Sequence, residues 1–294
     1  MVICTDEIKD MVTKGELPEI TDENYYDAEI NKHYMSFHTW LSLHGCDGII
    51  SCEAKAMAEL NEEYVDDNDD TAFMIGSYVD AALVGADGEM EKFKQEHPEI
   101  FASTGKNKGE LKTNYKMAEK MIARCRSDKK FMSYLSGLKQ VIFVSMFCGV
   151  PFKCKLDSYY PHVCISDLKT TREMHKQFYK PDVGHVDFVS YYGYVFQLSI
   201  YQEIVRLVTG EKLPCVIPAV SKSNHPEIEL IHVDDLALYD ALTEVINSLT
   251  NTSIVDVWKG NIEPLRCESP NCHYCIDTKV LTGTINYRDL IGVV

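Results

Sequence analysis

QVIFVSMFCGVPFKCKLDSYYPHVCISDLK, residues Gln140 to Lys169, is the stretch on which the fold turns. Gln140 to Cys148 is β-branched and aromatic, the composition of a strand. Gly149-Val150-Pro151 marks a turn. Phe152 to Asp157 alternates apolar and polar residues and reads as a second strand. Tyr160-Pro161-His162 turns the chain again, and Val163 to Lys169 makes a third strand. The pattern predicts a three-strand antiparallel meander. Asp157 ends its second strand and Asp167-Leu168-Lys169 ends its third. Asp167 and Lys169 are two apart on a strand and so share a face.

Outward from this centre the period is helical. Helices are expected from near Ser36, over Cys52 to Tyr64, Thr71 to Val84 and Glu89 to Glu96, and from about Glu110 to Ser127. Val186 to Thr209 reads as one long amphipathic helix closed by Gly210. Pro214 to Ser221 and Ile228 to Val233 are further strands, and Asp235 to Leu249 is a helix. This order predicts an α+β fold, a central sheet flanked by helices. Residues 1–100 are expected as a helical extension packed on a core of residues 101–260, and residues 261–294 as a cysteine-rich tail, all within one integrated domain.

The 294 residues suffice for a full core. With 45% hydrophobic and 25% charged residues the composition is that of a soluble globular protein. The opening MVICTDEIKD lacks a secretory signal, and no apolar run approaches the ~20 residues of a membrane span. A cytoplasmic protein is expected. Eleven cysteines in such a chain are not a disulfide framework. The net charge of −16 is unevenly spread: residues 103–130 hold nine Lys or Arg against three Asp or Glu, a balance of +6 that leaves −22 elsewhere.

Two carboxylates and a lysine meeting at neighbouring strand tips would suit a hard divalent cation such as Mg²⁺ or Mn²⁺. Such an ion acidifies water and offsets charge on a phosphate under attack. Lys169 would orient the water or stabilise the developing negative charge. Two turn-flanking aspartates and a solvated lysine are the ordinary alternative. The neighbourhood tells against it, since Gly149 lies eight residues before Asp157, and Gln197 and Tyr201 stand at i and i+4 on the following helix.

The order G…D…DxK…QxxxY resembles the PD-(D/E)XK nucleases of the RecB-type branch, and most of all the phage and prophage exonucleases akin to RecE. The resemblance takes in Gly149 to Asp157, Asp167-Leu168-Lys169, Gln197 to Tyr201, the Gly76-Ser77-Tyr78-Val79-Asp80 segment and the tail. It implies a restriction-endonuclease-like core and hydrolysis of DNA phosphodiesters. Asp157, Asp167, the Leu168 carbonyl and Asp80 would hold the metal, Lys169 would serve the water, and Gln197 and Tyr201 would position the active-site loop and the DNA strand. RecB-type enzymes usually carry a metal-binding histidine where this chain has Asp80. The RecE-like members imply resection of duplex ends beside a single-strand annealing protein, and a homo-oligomer. An iron–sulfur single-strand nuclease of CRISPR-adaptation or repair type is the second enzymatic reading. A catalytically decayed DNA-binding module is the third.

Lys112, Lys116, Lys120 and Arg124 recur every four residues and form a stripe that would follow a phosphate backbone; a solvated helix face is the alternative. Cys267, Cys272 and Cys275 are spaced for zinc or an iron–sulfur cluster and lack a fourth ligand. The resemblance to iron–sulfur RecB-type nucleases supplies Cys52 upstream as the fourth, with Cys46 or His273 as substitutes. It implies a [4Fe–4S] clasp, with zinc and free thiols as rivals.

Overall fold

A computed structural model of the chain describes residues 1–46, 49–66, 71–180, 183–267, 269, 271–281, 283–284 and 286. The strands are β1 (Val2–Cys4), β2 (Leu138–Phe147), β3 (Val150–Tyr160), β4 (Cys164–Ser166), β5 (Lys169–Thr171), β6 (Phe178–Lys180), β7 (Gly184–Val186), β8 (Cys215–Ser221) and β9 (Ile228–Val233). Ahead of β2 lie α1 (Asp6–Thr13), α2 (Ala28–His33), α3 (Phe37–His44), α4 (Glu53–Leu60), α5 (Thr71–Leu83), α6 (Glu89–Glu96), α7 (Thr113–Ser127) and α8 (Lys129–Ser133). After β7 come α9 (Phe188–Tyr191), α10 (Tyr194–Thr209), α11 (Asp235–Asn251), α12 (Ile254–Trp258) and α13 (His273–Asp277). The fold is α+β, a seven-stranded mixed sheet with flanking helices, as in restriction-endonuclease-like nucleases. Strands β6 and β7 form a separate two-stranded hairpin.

The meander is present, and its first turn has a clear cause. Phe147 pairs with Val150, leaving Cys148 and Gly149 as a two-residue loop with φ of 51° and 75°. Positive φ at both central residues is the type I′ geometry that matches the twist of a hairpin. Alternation then sorts the side chains of β2. Val141 and Phe143 join a core with α3, α10 and α11, while Ile142 and Val144 pack on Ile8, Leu17 and Tyr34 on the other face. A strand buried on both faces reads as an unbroken apolar run, as this one does.

The third strand is interrupted. Strand β4 pairs with β8 at Ile165↔Cys215 and Ser166↔Val216, and β5 resumes at Lys169↔Ala219 in the same register. Asp167 and Leu168 lie between the two paired stretches, and the Asp167 amide still donates to the Val216 carbonyl at 3.1 Å, which keeps the register across the gap. The helix expected over residues 186–209 is also divided. Asp187 caps the short α9 by accepting from the Ser190 amide at 3.0 Å, and Gly193 at φ 70° then redirects the chain into α10. A side chain at Gly193 would meet the Cys46 sulfur at 3.2 Å, in a conformation that L-residues seldom adopt.

The first hundred residues do more than add helices. Strand β1 extends the sheet parallel to β2, and fully buried Trp40 on α3 donates to Ser248 Oγ on α11 at 2.8 Å. Ser36 caps α3, accepting from the Thr39 amide. A second core, around Tyr78, Met121 and Phe131, sets α5 and α7 against Leu168 and Val220. Among the described residues no helix is long and apolar enough to cross a membrane.

Candidate active site

The break between β4 and β5 builds the site. The Asp167 amide donates to Val216 on β8, so the next amide, that of Leu168, faces β3, where it donates to Asp157 Oδ2 at 2.8 Å. Asp157 sits near the point where β3 parts from β4, and Gln140 lies between the paired residues Lys139 and Val141 on the strand beside it. Gln140 has φ of 52°, and its side-chain amide reaches Asp157 Oδ1 at 3.4 Å. Asp167 is buried, with Oδ2 in an ion pair with the Lys169 ammonium; no hydrogen bond of good geometry from a described residue reaches that oxygen. Helix α5 crosses β5 where Gly76 leaves room for Thr170, and this brings the half-buried Asp80 to the same place.

The electrostatics follow from crowding. Burial first, and then the charge of Asp167, raises the Asp157 carboxyl to about 7, against the pull of Lys169 and the Leu168 amide. Burial and the charge of Asp157 hold Asp80 well above the carboxylate range, opposed by Lys169 and Lys222. Burial acts to lower the Lys169 amine, but Asp167, Tyr194 and Asp157 outweigh it and hold it above its ordinary value. Lys169 therefore stays an ammonium: it can donate and stabilise negative charge but cannot act as a base. Three mutually repelling carboxylates served by so little positive charge are the oxygen donors that a hard cation takes, so their chemistry fits Mg²⁺ or Mn²⁺, although their oxygens do not all lie within 4.8 Å of one another.

Five of the residues expected from sequence thus converge: Asp80, Asp157, Asp167, Leu168 and Lys169. Gln197 and Tyr201 are joined to each other, Nε2 to Oη at 2.9 Å, but both are buried. Burial keeps both side chains off a DNA strand. Sequence reasoning passed over Gln140, Tyr26, His38 and Tyr194. The exposed Tyr26 has its hydroxyl pushed up to about 12 by desolvation and by the charges of Asp157, Asp80, Asp22 and Asp167. Desolvation and then Lys169 lower His38, while Asp167 opposes them. None of these stands at a fixed spacing from the DxK, which is why the motif did not reveal them.

The basic stripe flanks this site. Helix α7 begins at Thr113, so Lys112 is its cap rather than its first turn. Lys116 pairs with Glu110 at 2.6 Å, Lys120 donates to Asn224 at 3.0 Å and Arg124 to Ser127 at 3.3 Å. Asn224 lies on the loop after β8, where Lys222 donates to the Ala72 carbonyl in the first turn of α5.

Cys52, Cys267, Cys272 and Cys275 form a second cluster, with all four sulfurs within 4.8 Å of one another. Cys52–Cys275 is 3.5 Å and Cys267–Cys275 is 3.9 Å. Ala54 donates to the Leu265 carbonyl at 3.0 Å and Leu265 to Glu53 at 2.8 Å, so the start of α4 is tied to the tail. Burial acts to raise Cys52, but the backbone amides of Cys267 and Lys55 and the neighbouring thiols hold it below the usual thiol value. Burial and its three neighbours push Cys275 up to about 12. Cys46 stands instead beside Gly193, and His273 lies 3.8 Å from Asp66.

No curated protein matches the chain. A crystal structure of a candidate exonuclease from Eubacterium rectale is similar to it, at 41% identity and a TM-score of 0.85 over 94% of this chain and 99% of that one. A family profile described as a PDDEXK-like domain of unknown function (DUF3799) matches residues 37–278. That span contains Asp80, Asp157, Asp167, Lys169 and the four clustered cysteines, and the chain belongs to this PDDEXK-like family.

Proposed function

We propose that the protein is a metal-dependent DNA exonuclease. The convergence of Asp80, Asp157, Asp167 and Lys169 at the break between β4 and β5 carries this reading. Asp157, Asp167, Asp80 and the Leu168 carbonyl would hold Mg²⁺ or Mn²⁺. When bound, the ion would acidify a water and neutralise charge on the scissile phosphate. Leu168 and Gln140 fix the Asp157 carboxylate by donating to both its oxygens. The Lys169 ammonium donates to the attacking water or to a phosphate oxygen as negative charge develops there. Gln197 and Tyr201 support this arrangement from below. The resemblance to RecE-like enzymes and the similarity to a candidate exonuclease support action at duplex ends, with the exposed strand passed to an annealing partner.

Incubation of linear and circular DNA with Mg²⁺ or Mn²⁺ tests the reading. Loss of linear DNA alone, abolished by Lys169→Ala, is the expected result. Degradation of circles overturns the exonuclease reading, and activity retained by Lys169→Ala overturns the site.

The cysteine cluster is read as a structural metal centre, and its spacing favours zinc. Tetrahedral ligation at about 2.3 Å places thiolate sulfurs about 3.8 Å apart. The 3.5 and 3.9 Å separations lie near that value. In the [4Fe–4S] cluster that the resemblance implies, each thiolate stands on its own iron at a cube corner, which sets the sulfurs further apart. Metal analysis of anaerobically purified protein separates the two: one zinc per chain is expected, and four irons would restore the cluster.

A further inference from the structure

The Lys169 ammonium lies over the face of Tyr194, 4.8 Å from the ring centroid. From there, ring contacts lead away from the carboxylates. Tyr192 is 5.7 Å from Tyr194, and Tyr191 is 5.0 Å from Tyr192. Phe178 on the β6–β7 hairpin is stacked on Tyr191 at 4.7 Å and lies 5.9 Å from Tyr192. Tyr192 is 39% exposed, although it sits between two helices at a bend where a small polar residue would serve the fold. Cations lie among the rings. The exposed Lys176 stands 5.9 Å over Phe178, and the exposed Arg172 is near enough to Tyr192 to oppose the rise in its hydroxyl caused first by burial and then by Tyr191.

Rings interleaved with cations and continuous with a phosphate-cleaving centre have a chemical meaning. Every base has a π face, so aromatic side chains hold unpaired bases whatever their sequence, while cations follow the phosphates. Paired bases in a duplex hide those faces. We propose that Tyr192, with Tyr194, Tyr191 and Phe178 behind it, is a stacking platform for unpaired bases of the strand being cleaved, and that Arg172 and Lys176 hold the phosphates of that strand. The inference rests on the nuclease reading and adds the form of its substrate: single-stranded, or frayed over its last nucleotides, where it meets Lys169.

Binding in the Asp157→Asn chain, in which cleavage is strongly slowed, tests the platform, with chelator present. Fluorescence anisotropy compares a labelled oligo(dT) strand with an abasic strand of the same length and charge. Tyr192→Ala is expected to weaken oligo(dT) binding roughly 5- to 150-fold, the range for one lost stack. The abasic strand should be held within about twofold, since the lost contact is to bases alone. Tyr192→Phe keeps the ring and should bind oligo(dT) like the parent. Arg172→Gln should weaken both strands equally. Equal losses on both strands with Tyr192→Ala, an unchanged affinity, or a Tyr192→Phe chain as weak as Tyr192→Ala each overturn the platform. So does failure of the parent to bind either strand, which would leave the rings to a protein partner. If the wild-type chain cuts linear DNA while Tyr192→Ala changes nothing, the platform alone falls. If no DNA is cut yet base-dependent binding follows Tyr192, the nuclease reading alone falls.

Discussion

The Leu168 amide donates to Asp157 Oδ2 at 2.8 Å, and it is free to do so because the β3–β4 pairing ends at Ser158↔Ser166, which leaves this amide facing β3 beyond the last paired residue. The end of that pairing therefore presents the Leu168 peptide and orients a carboxylate on the neighbouring strand. Asp157→Asn keeps the side-chain shape but removes a charge and one acceptor oxygen. We expect Mn²⁺ affinity, measured by titration calorimetry, to fall at least tenfold and cleavage by on the order of 10³-fold. Wild-type Mn²⁺ affinity in the variant would remove Asp157 from the metal site.

The pH dependence of stability follows from the same carboxylate. Asp157 is raised to about 7 in the metal-free fold, against ~3.9 for an unfolded aspartate. The folded state therefore binds the proton more tightly than the unfolded state. Its contribution is complete below pH ~4 and is lost as pH rises through about 7. In chelator, the thermal midpoint should drop between pH 5 and pH 8, and Asp80, raised for the same reason, adds to the drop. Saturating Mn²⁺ should flatten the profile, and Asp157→Asn should remove much of the slope without metal. Parallel wild-type and Asp157→Asn profiles in chelator would refute the assignment.

Much of this was legible in the residues, for reasons that can be named. The β2–β3 hairpin has a positive-φ pair at Cys148-Gly149 and an apolar run too regular for a loop. The paired carboxylates and Lys169 stood at a spacing that a sheet brings to one place. The break at Asp167-Leu168 was hidden because VCISDLK has no Gly or Pro to mark it, and Leu168 packs into the second core as a strand residue would. Strands β1, β6 and β7 have three residues each, too few to show a period. Gly193 sat inside a helical pattern and hid the bend that leaves Tyr192 exposed. The run Tyr191-Tyr192-Gly193-Tyr194 was the available signal, since adjacent tyrosines around a glycine do not suit one face of a helix.

Asp80 replaces a residue that is usually histidine in RecB-type enzymes, and its effect should appear in metal preference. Carboxylate oxygen suits Mg²⁺, whereas imidazole favours later, softer ions. Asp80→His is expected to shift the ratio of Mn²⁺- to Mg²⁺-supported cleavage several-fold towards Mn²⁺. Asp80→Ala should weaken both. An unchanged ratio in Asp80→His would leave Asp80 as a polar helix position only.

The basic stripe on α7 makes a separate claim about salt. Lys116 and Lys120 are exposed, and their partners Glu110 and Asn224 are surface groups that a phosphate can displace. If each holds one phosphate, reversing both charges removes about two released counterions and lowers the slope of log K against log salt by roughly 1.8. Anisotropy across a salt series measures it. A wild-type slope in the double variant would mark α7 as a solvated face.

The cysteine cluster should govern stability without touching chemistry, because its ligands join α4 to the tail while the carboxylates lie on β3, the β4–β5 break and α5. A bound ion stabilises the fold by holding thiolates that the unfolded chain cannot assemble. In the metal-free cluster Cys275, raised to about 12, and Cys267, also above its usual value, resist deprotonation, while Cys52 is lowered. Stripping the ion should therefore leave the tail thiols Cys267 and Cys275 protonated and the tail loosened. We expect Cys52→Ser and Cys272→Ser to lose bound metal, to lower the thermal midpoint by several degrees and to expose residues near 265–280 to protease. Their cleavage rate at low temperature, with Mg²⁺ in excess, should stay within a few-fold of wild type. A variant that loses cleavage while its metal content and midpoint are retained would contradict a purely structural role for the cluster.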